Sequence, residues 1–147
     1  MKKIPWDKYE TALLIEKYVQ VSNKAVKRVE AIKTLSEELR KRAIDLGLEI
    51  DNIFRNLNGI KCRLLEIEYI FTNGERGLAH SSKMFRDICD LYHTNNVEFM
   101  NLLSFSKAIL VYPEGYKKEY QKMISLLDGR PSGNEFALEA FLEKVFS

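Results

Sequence analysis

Cysteine, proline and glycine are all scarce in this sequence, at two, three and seven residues among 147. Cys62 and Cys89 make no disulfide framework of the kind that staples small secreted domains. They read as reduced thiols, which points to a cytoplasmic protein. No apolar run reaches the roughly 18 residues a membrane span needs, so no membrane partner is expected. The opening Met-Lys-Lys-Ile-Pro-Trp lacks the apolar stretch of a signal peptide. The glycines at 47, 59, 74 and 77 fit neither G-x-G-x-x-G nor G-x-x-x-x-G-K-S/T, so a glycine-rich phosphate cradle is not expected. His80 and His93 stand at no metal-ligand spacing from each other or from the cysteines, which argues against zinc. No cofactor is implied. Period-2 runs of β-branched residues, the mark of strands, are missing as well.

What is present is an ordinary globular composition, 46% hydrophobic and 30% charged, long enough for one domain with a substantial core. The net charge of +2 conceals an asymmetry. Residues 1–63 hold 14 Lys and Arg against 9 Asp and Glu, and residues 64–147 hold 9 against 12. A basic half beside an acidic half is compatible with docking on a polyanion, and equally with scattered surface charge.

Helical periodicity runs through the chain. Tyr9, Leu13, Leu14, Tyr18 and Val21 mark a helix over 7–21, with Pro5 just before it. Val29, Ile32, Leu35, Leu39, Ala43 and Leu46 mark a second over 26–46, closed by Gly47. Glu37–Lys41 and Glu38–Arg42 have the i,i+4 spacing of ion pairs on its wet side. Asp51 can cap a short turn. Asn56 or Asn58 can cap a third helix with the stripe Leu57, Ile60, Leu64, Ile67 and Phe71, ended by Thr72-Asn73-Gly74. A fourth opens at Ser81 or Ser82 (Met84, Phe85, Ile88, Leu91, Tyr92). A fifth opens at Asn95 or Asn96 (Phe99, Leu102, Leu103, Ile109) and ends at Pro113. Two more are expected at about 114–127 and 134–146, joined by the Gly/Pro-rich residues 128–133. The expectation is an all-α domain of six or seven helices, with residues 1–110 as one module and 111–147 as a C-terminal helical pair, packed on it or used in oligomerisation.

Residues 51–64 carry the most chemistry. Asn56, Asn58, Lys61 and Arg63, preceded by Arg55, cluster at the start of a helix that buries its opposite stripe. The N-terminal turn of such a helix is the part that meets base edges or phosphates. Asparagine can bond adenine bidentately, and Arg and Lys pair guanine or phosphate. Arg40, Lys41 and Arg42 at the end of the preceding helix would extend the footprint, and Lys83 would join it. The plainer reading is a capped helix with basic flanks, and Glu66 and Glu68 as a solvated edge. No nucleophile, base or paired carboxylate supports catalysis, so an enzyme is not expected.

Several of these positions recur in a recognisable order. Trp6, Glu10, Leu13, Leu14 and Tyr18 come first, then Leu35-Ser36 and Leu39. Phe54-Arg55-Asn56-x-Asn58-Gly59-Ile60-x-x-x-Leu64, Gly77-Leu78, Ser82-Lys83-x-Phe85 and Phe99 follow. This order resembles the N-terminal helical module that precedes HNH nuclease domains in bacterial restriction-type proteins. The first three helices also resemble a Myb/SANT-like, helix-turn-helix trihelix. The resemblance spans about residues 4–108. It implies a DNA-binding targeting or accessory module of a restriction, antiviral-defence or regulatory system, acting on double-stranded DNA beside a nuclease domain or partner protein. No HNH histidine-and-asparagine core follows, so nuclease activity does not carry over, and the abrupt end at Phe146-Ser147 is what a fragment of a longer protein would show. The alternative is a protein-interaction or oligomerisation module, such as a homodimer, using Phe136, Phe141, Leu142, Val145 and Phe146.

Overall fold

The computed structural model describes residues 4–79 and 81–118. Within them the chain forms five α-helices: α1 (Lys8–Ser22), α2 (Arg28–Asp45), α3 (Leu57–Phe71), α4 (Lys83–Thr94) and α5 (Asn96–Val111). Among the described residues there is no strand. Pro113–Gly115 form a single 3-10 turn, and residues 117–118 are helical again, a few residues after a sixth helix was expected to open. The helix expected over 134–146, and most of that over 114–127, lie outside the described residues.

The helices make a ring around a central one. α2, α3, α4 and α5 each pack on α1. Each also packs on the next in that order, and α5 meets α2 again to close the ring. Residues Lys8 to Ile15 of α1 are accordingly all buried, on every side of the helix. The sequence suggested a one-sided apolar stripe there, and the central position replaces it. A core of Leu14, Ile15, Leu35, Leu39, Leu46, Ile60, Leu64, Ile67, Phe99 and Ile109, each under 2% exposed, fills the space between centre and ring.

Local signals set the boundaries. Asp7 caps α1 in a reciprocal box with Glu10: the Glu10 amide donates to Asp7 Oδ1 at 2.8 Å and the Asp7 amide to Glu10 Oε1 at 3.2 Å. Gly47 ends α2 with φ of +85°, its neighbour's amide reaching back to the Ala43 carbonyl. Asn73, at φ +54°, performs the same service for α3. Gly77 permits the α3–α4 loop to lie on α3, and the Leu78 amide donates to the Leu65 carbonyl at 3.0 Å. A Cβ at Gly77 would stand 2.2 Å from that carbonyl oxygen.

Two expected core positions are corrected. Val29 is 74% exposed, because it lies in the first turn of α2, where Ala31 and Leu35 supply the buried phase instead. Leu57, the first residue of α3, is 56% exposed, since the helix overhangs the core before Ile60. No helix among the described residues is long and apolar enough to cross a membrane.

Candidate nucleic-acid interface

The start of α3 is built on a buried ionic cluster. Arg55 takes a left-handed backbone, φ +47°, one residue before the Asn56 cap. That conformation sends its side chain back under the helix rather than outward. Its Nε donates to Glu10 Oε2 at 2.8 Å and an Nη to Glu10 Oε1 at 3.0 Å, a bidentate pair. The same guanidinium donates to the carbonyls of Ile4 and Pro5. It lies 4.6 Å from the centre of the Trp6 ring and 4.3 Å from that of Phe54, sandwiched between cation–π faces. Its own carbonyl accepts from Ser36 Oγ at 2.7 Å.

Arg42 completes the cluster from α2. Its side chain is 3% exposed, and it donates to Asp7 Oδ2 at 3.1 Å with Glu10 at 3.9 Å. Two carboxylates on the first turn of α1 thus face two guanidiniums, one from α2 and one from the turn before α3. Four charges out of water are tolerable only because each is paired and further hydrogen-bonded. Arg42 was expected to contact DNA and to pair with Glu38; burial takes it from the surface, and Glu38 lies instead 3.8 Å from Lys17. Arg55 likewise belongs to the scaffold and leaves the expected footprint.

The other expected contact residues divide as follows. Arg40 donates to the carbonyls of Asp51 and Phe54, fixing the α2–α3 loop while its charge meets no carboxylate there. Lys41 pairs with Asp45 rather than Glu37. Arg63 pairs with Glu66 at 2.9 Å, and Glu66 is 3% exposed, buried rather than a solvated edge. Glu68 is half-buried and paired with Arg28 at 3.2 Å. Lys83 pairs with Asp87 at 2.8 Å; it stands on the same end of the molecule, since its neighbour Phe85 meets Trp6 edge-on at 5.8 Å. Asn56 is the cap, its Oδ1 accepting from the Gly59 amide at 2.8 Å. Asn58 is therefore not needed as a cap.

What remains on the surface is a short turn. Asn58 and Lys61 are both exposed and three residues apart, on one face of α3 beside Leu57. The first turn of α3 holds no acidic residue to offset the positive end of the helix. Positive charge does not gather there, however: Lys24, Lys27 and Arg28 stand at the opposite end of the bundle, where α2 begins and α3 ends.

The sequence reading missed the anchors. Asp7, Glu10, Ser36 and Trp6 hold Arg55 and Arg42, and the Asp7-x-x-Glu10 box was a visible signal for the first two. Nothing local in the sequence tells a buried arginine from a surface one. No protein-family model, curated protein or solved structure matches the chain.

Proposed function

We propose that this chain is a non-catalytic DNA-binding module that meets the duplex with the first turn of α3. The observation that carries the reading is that turn: Asn58 and Lys61 lie exposed at an acid-free helix start, and the cluster beneath prevents it from shifting. α1, α2 and α3 pack on one another, as a helix-turn-helix-like trihelix requires. The ten-odd residues between α2 and α3 exceed the usual three or four of that motif. The order of motifs from Trp6 to Phe99 supports a place in a restriction, defence or regulatory system, with double-stranded DNA as the partner.

The test is duplex binding by the full chain across a salt series. Affinity should fall as salt rises. Lys61→Gln should weaken binding on every sequence alike and lower the salt slope by about one. Asn58→Ala should cost ~1–3 kcal/mol of discrimination between competing duplexes, with an unchanged melting temperature, because it reads a base edge and caps nothing. Absence of duplex affinity at low salt overturns the reading. A protein-interaction module is the second reading, favoured by one observation: α5 exposes Val97, Met100, Phe105 and Val111.

A further inference from the structure

Residues 4–6 lead into α1 with no regular structure of their own. Ile4 and Pro5 are tied down by Arg55: both Nη atoms lie 3.3 Å from the Ile4 carbonyl oxygen, and one lies 3.2 Å from that of Pro5. Trp6 lays its ring over the same guanidinium and meets Phe85, in the first turn of α4, at an interplanar angle of 84°. This strap thus ties the start of α3 to the start of α4. Arg55 depends on it in return. At φ +47° its backbone is strained, and such a residue persists only while its surroundings over-determine it. Ser36 holds its carbonyl from α2, and Glu10 binds two of its nitrogens from α1. The strap supplies the remaining acceptors and one of the two ring faces. Under this cover the Arg55 side chain is 7% exposed.

We propose that the strap and the start of α3 open together as one local unit, with Arg55 as the pin. Lifting residues 4–6 strips Arg55 of the Ile4 and Pro5 oxygens and of the Trp6 face, and admits water to its pair with Glu10. The left-handed residue then relaxes, and the cap at the next position, Asn56, goes with it. Two amides are released: that of Gly59 from Asn56 Oδ1, at 2.8 Å, and that of Ile60 from the Asn56 carbonyl, at 2.9 Å. The later turns of α3 stay, because Leu64 and Ile67 are buried in the core. Leu57 and Asn58 are exposed, and a segment with so little buried apolar surface opens below the global limit. Trp6 is thereby a positioning residue for the α3 turn, acting through Arg55. The functional consequence rests on the DNA reading, since the turn it steadies carries Asn58 and Lys61; the opening itself does not.

Native-state hydrogen exchange on the full chain tests the proposal. Trp6→Ala should speed exchange at Gly59 and Ile60 about tenfold more than at Ile67 and Ile70, in later turns of the same helix. Trp6→Phe, which keeps a ring over Arg55, should bring that ratio back close to the parent's. Trp6 is the only tryptophan in the chain, so the parent gives a second reading without any variant. Its emission in sub-denaturing urea should shift in step with the opening at Gly59 and Ile60, before helix signal is lost. Equal acceleration along the whole of α3 in Trp6→Ala overturns the proposal. So does tryptophan emission that changes only with global unfolding, and this arm decides the matter should Trp6→Ala not fold. Duplex binding separates the strap from the DNA reading. Trp6→Ala should weaken binding several-fold with an unchanged salt slope, because no phosphate contact is removed. A parent chain without duplex affinity fails the DNA reading and leaves the exchange and emission results to decide the strap. A parent that binds, with Trp6→Ala binding as tightly, overturns the positioning role.

Discussion

Arg42 and Arg55 show how much a single side chain's setting decides. Arg42 lies in the last turn of α2 and Arg55 just before the start of α3, and both are consumed by Asp7 and Glu10. Arg42→Met should destabilise the protein by ~3–5 kcal/mol in a denaturant titration, because the buried Asp7 and Glu10 carboxylates lose the Arg42 guanidinium. Arg55→Lys keeps the charge but loses the second bond to Glu10 and the planar stack on Trp6, and should cost about 1.5–3 kcal/mol. A change under half a kcal/mol in both would place these guanidiniums in solvent. The cysteines make a second contrast. Burial pushes the Cys89 thiol up to about 12, with the charge of Asp90 adding to the rise. The native state therefore holds that proton more tightly than the unfolded chain, where a cysteine thiol has its ordinary value of 9.0. Its contribution to stability is complete below pH 9 and is lost as pH rises toward about 12. Alkylation of the native protein at pH 8 should label Cys62 and spare Cys89; labelling in the reverse order would place Cys89 at the surface. The burial of Cys89 was legible from its place between Ile88 and Leu91. The ionic cluster was not, since its two carboxylates lie 32 to 48 residues from its two arginines along the chain.

Helices were the most legible level. Periodicity, the Asp51 turn, the Ser82 cap and Gly47 each placed a boundary within a few residues, because caps and stripes are written in local sequence. Exposure at element ends was less so, as Val29 and Leu57 show: a stripe gives the phase of a helix but not where its neighbours stop. The loop after α3 makes the same point. Gly77, at φ +95°, has the Leu65 carbonyl and the Tyr69 amide on the side where a Cβ would point. Gly77→Ala should therefore cost on the order of 3 kcal/mol, measured by thermal melting, through backbone strain added to the clash. Gly47→Ala offers the comparison of a left-handed helix cap, where strain alone should act and the cost should be nearer 1 kcal/mol. Equal costs would mean that the α3–α4 loop moves off the helix without penalty.

At the scale of the whole molecule the described helices form a hub and a ring, in which each of α2 to α5 covers part of α1. Leu39, fully buried on α2, tests the packing: Leu39→Ala should lower stability by ~2–5 kcal/mol in one cooperative transition. A partial transition with the remaining helices intact would show that the ring does not fold as a unit. That the first helix lies at the centre was hidden in the sequence, where Lys8, Glu10 and Thr11 suggest a wet face. It also has a consequence during synthesis. Of the described helices, the one made before the others is the one most in need of cover, and the last of its described neighbours ends at Val111. At about 5–20 residues per second, α1 waits some 5–20 s on the ribosome before α5 can emerge. Through that interval Leu13, Leu14 and Ile15 have no finished home, which makes the nascent chain a natural client for a chaperone that grips short apolar segments.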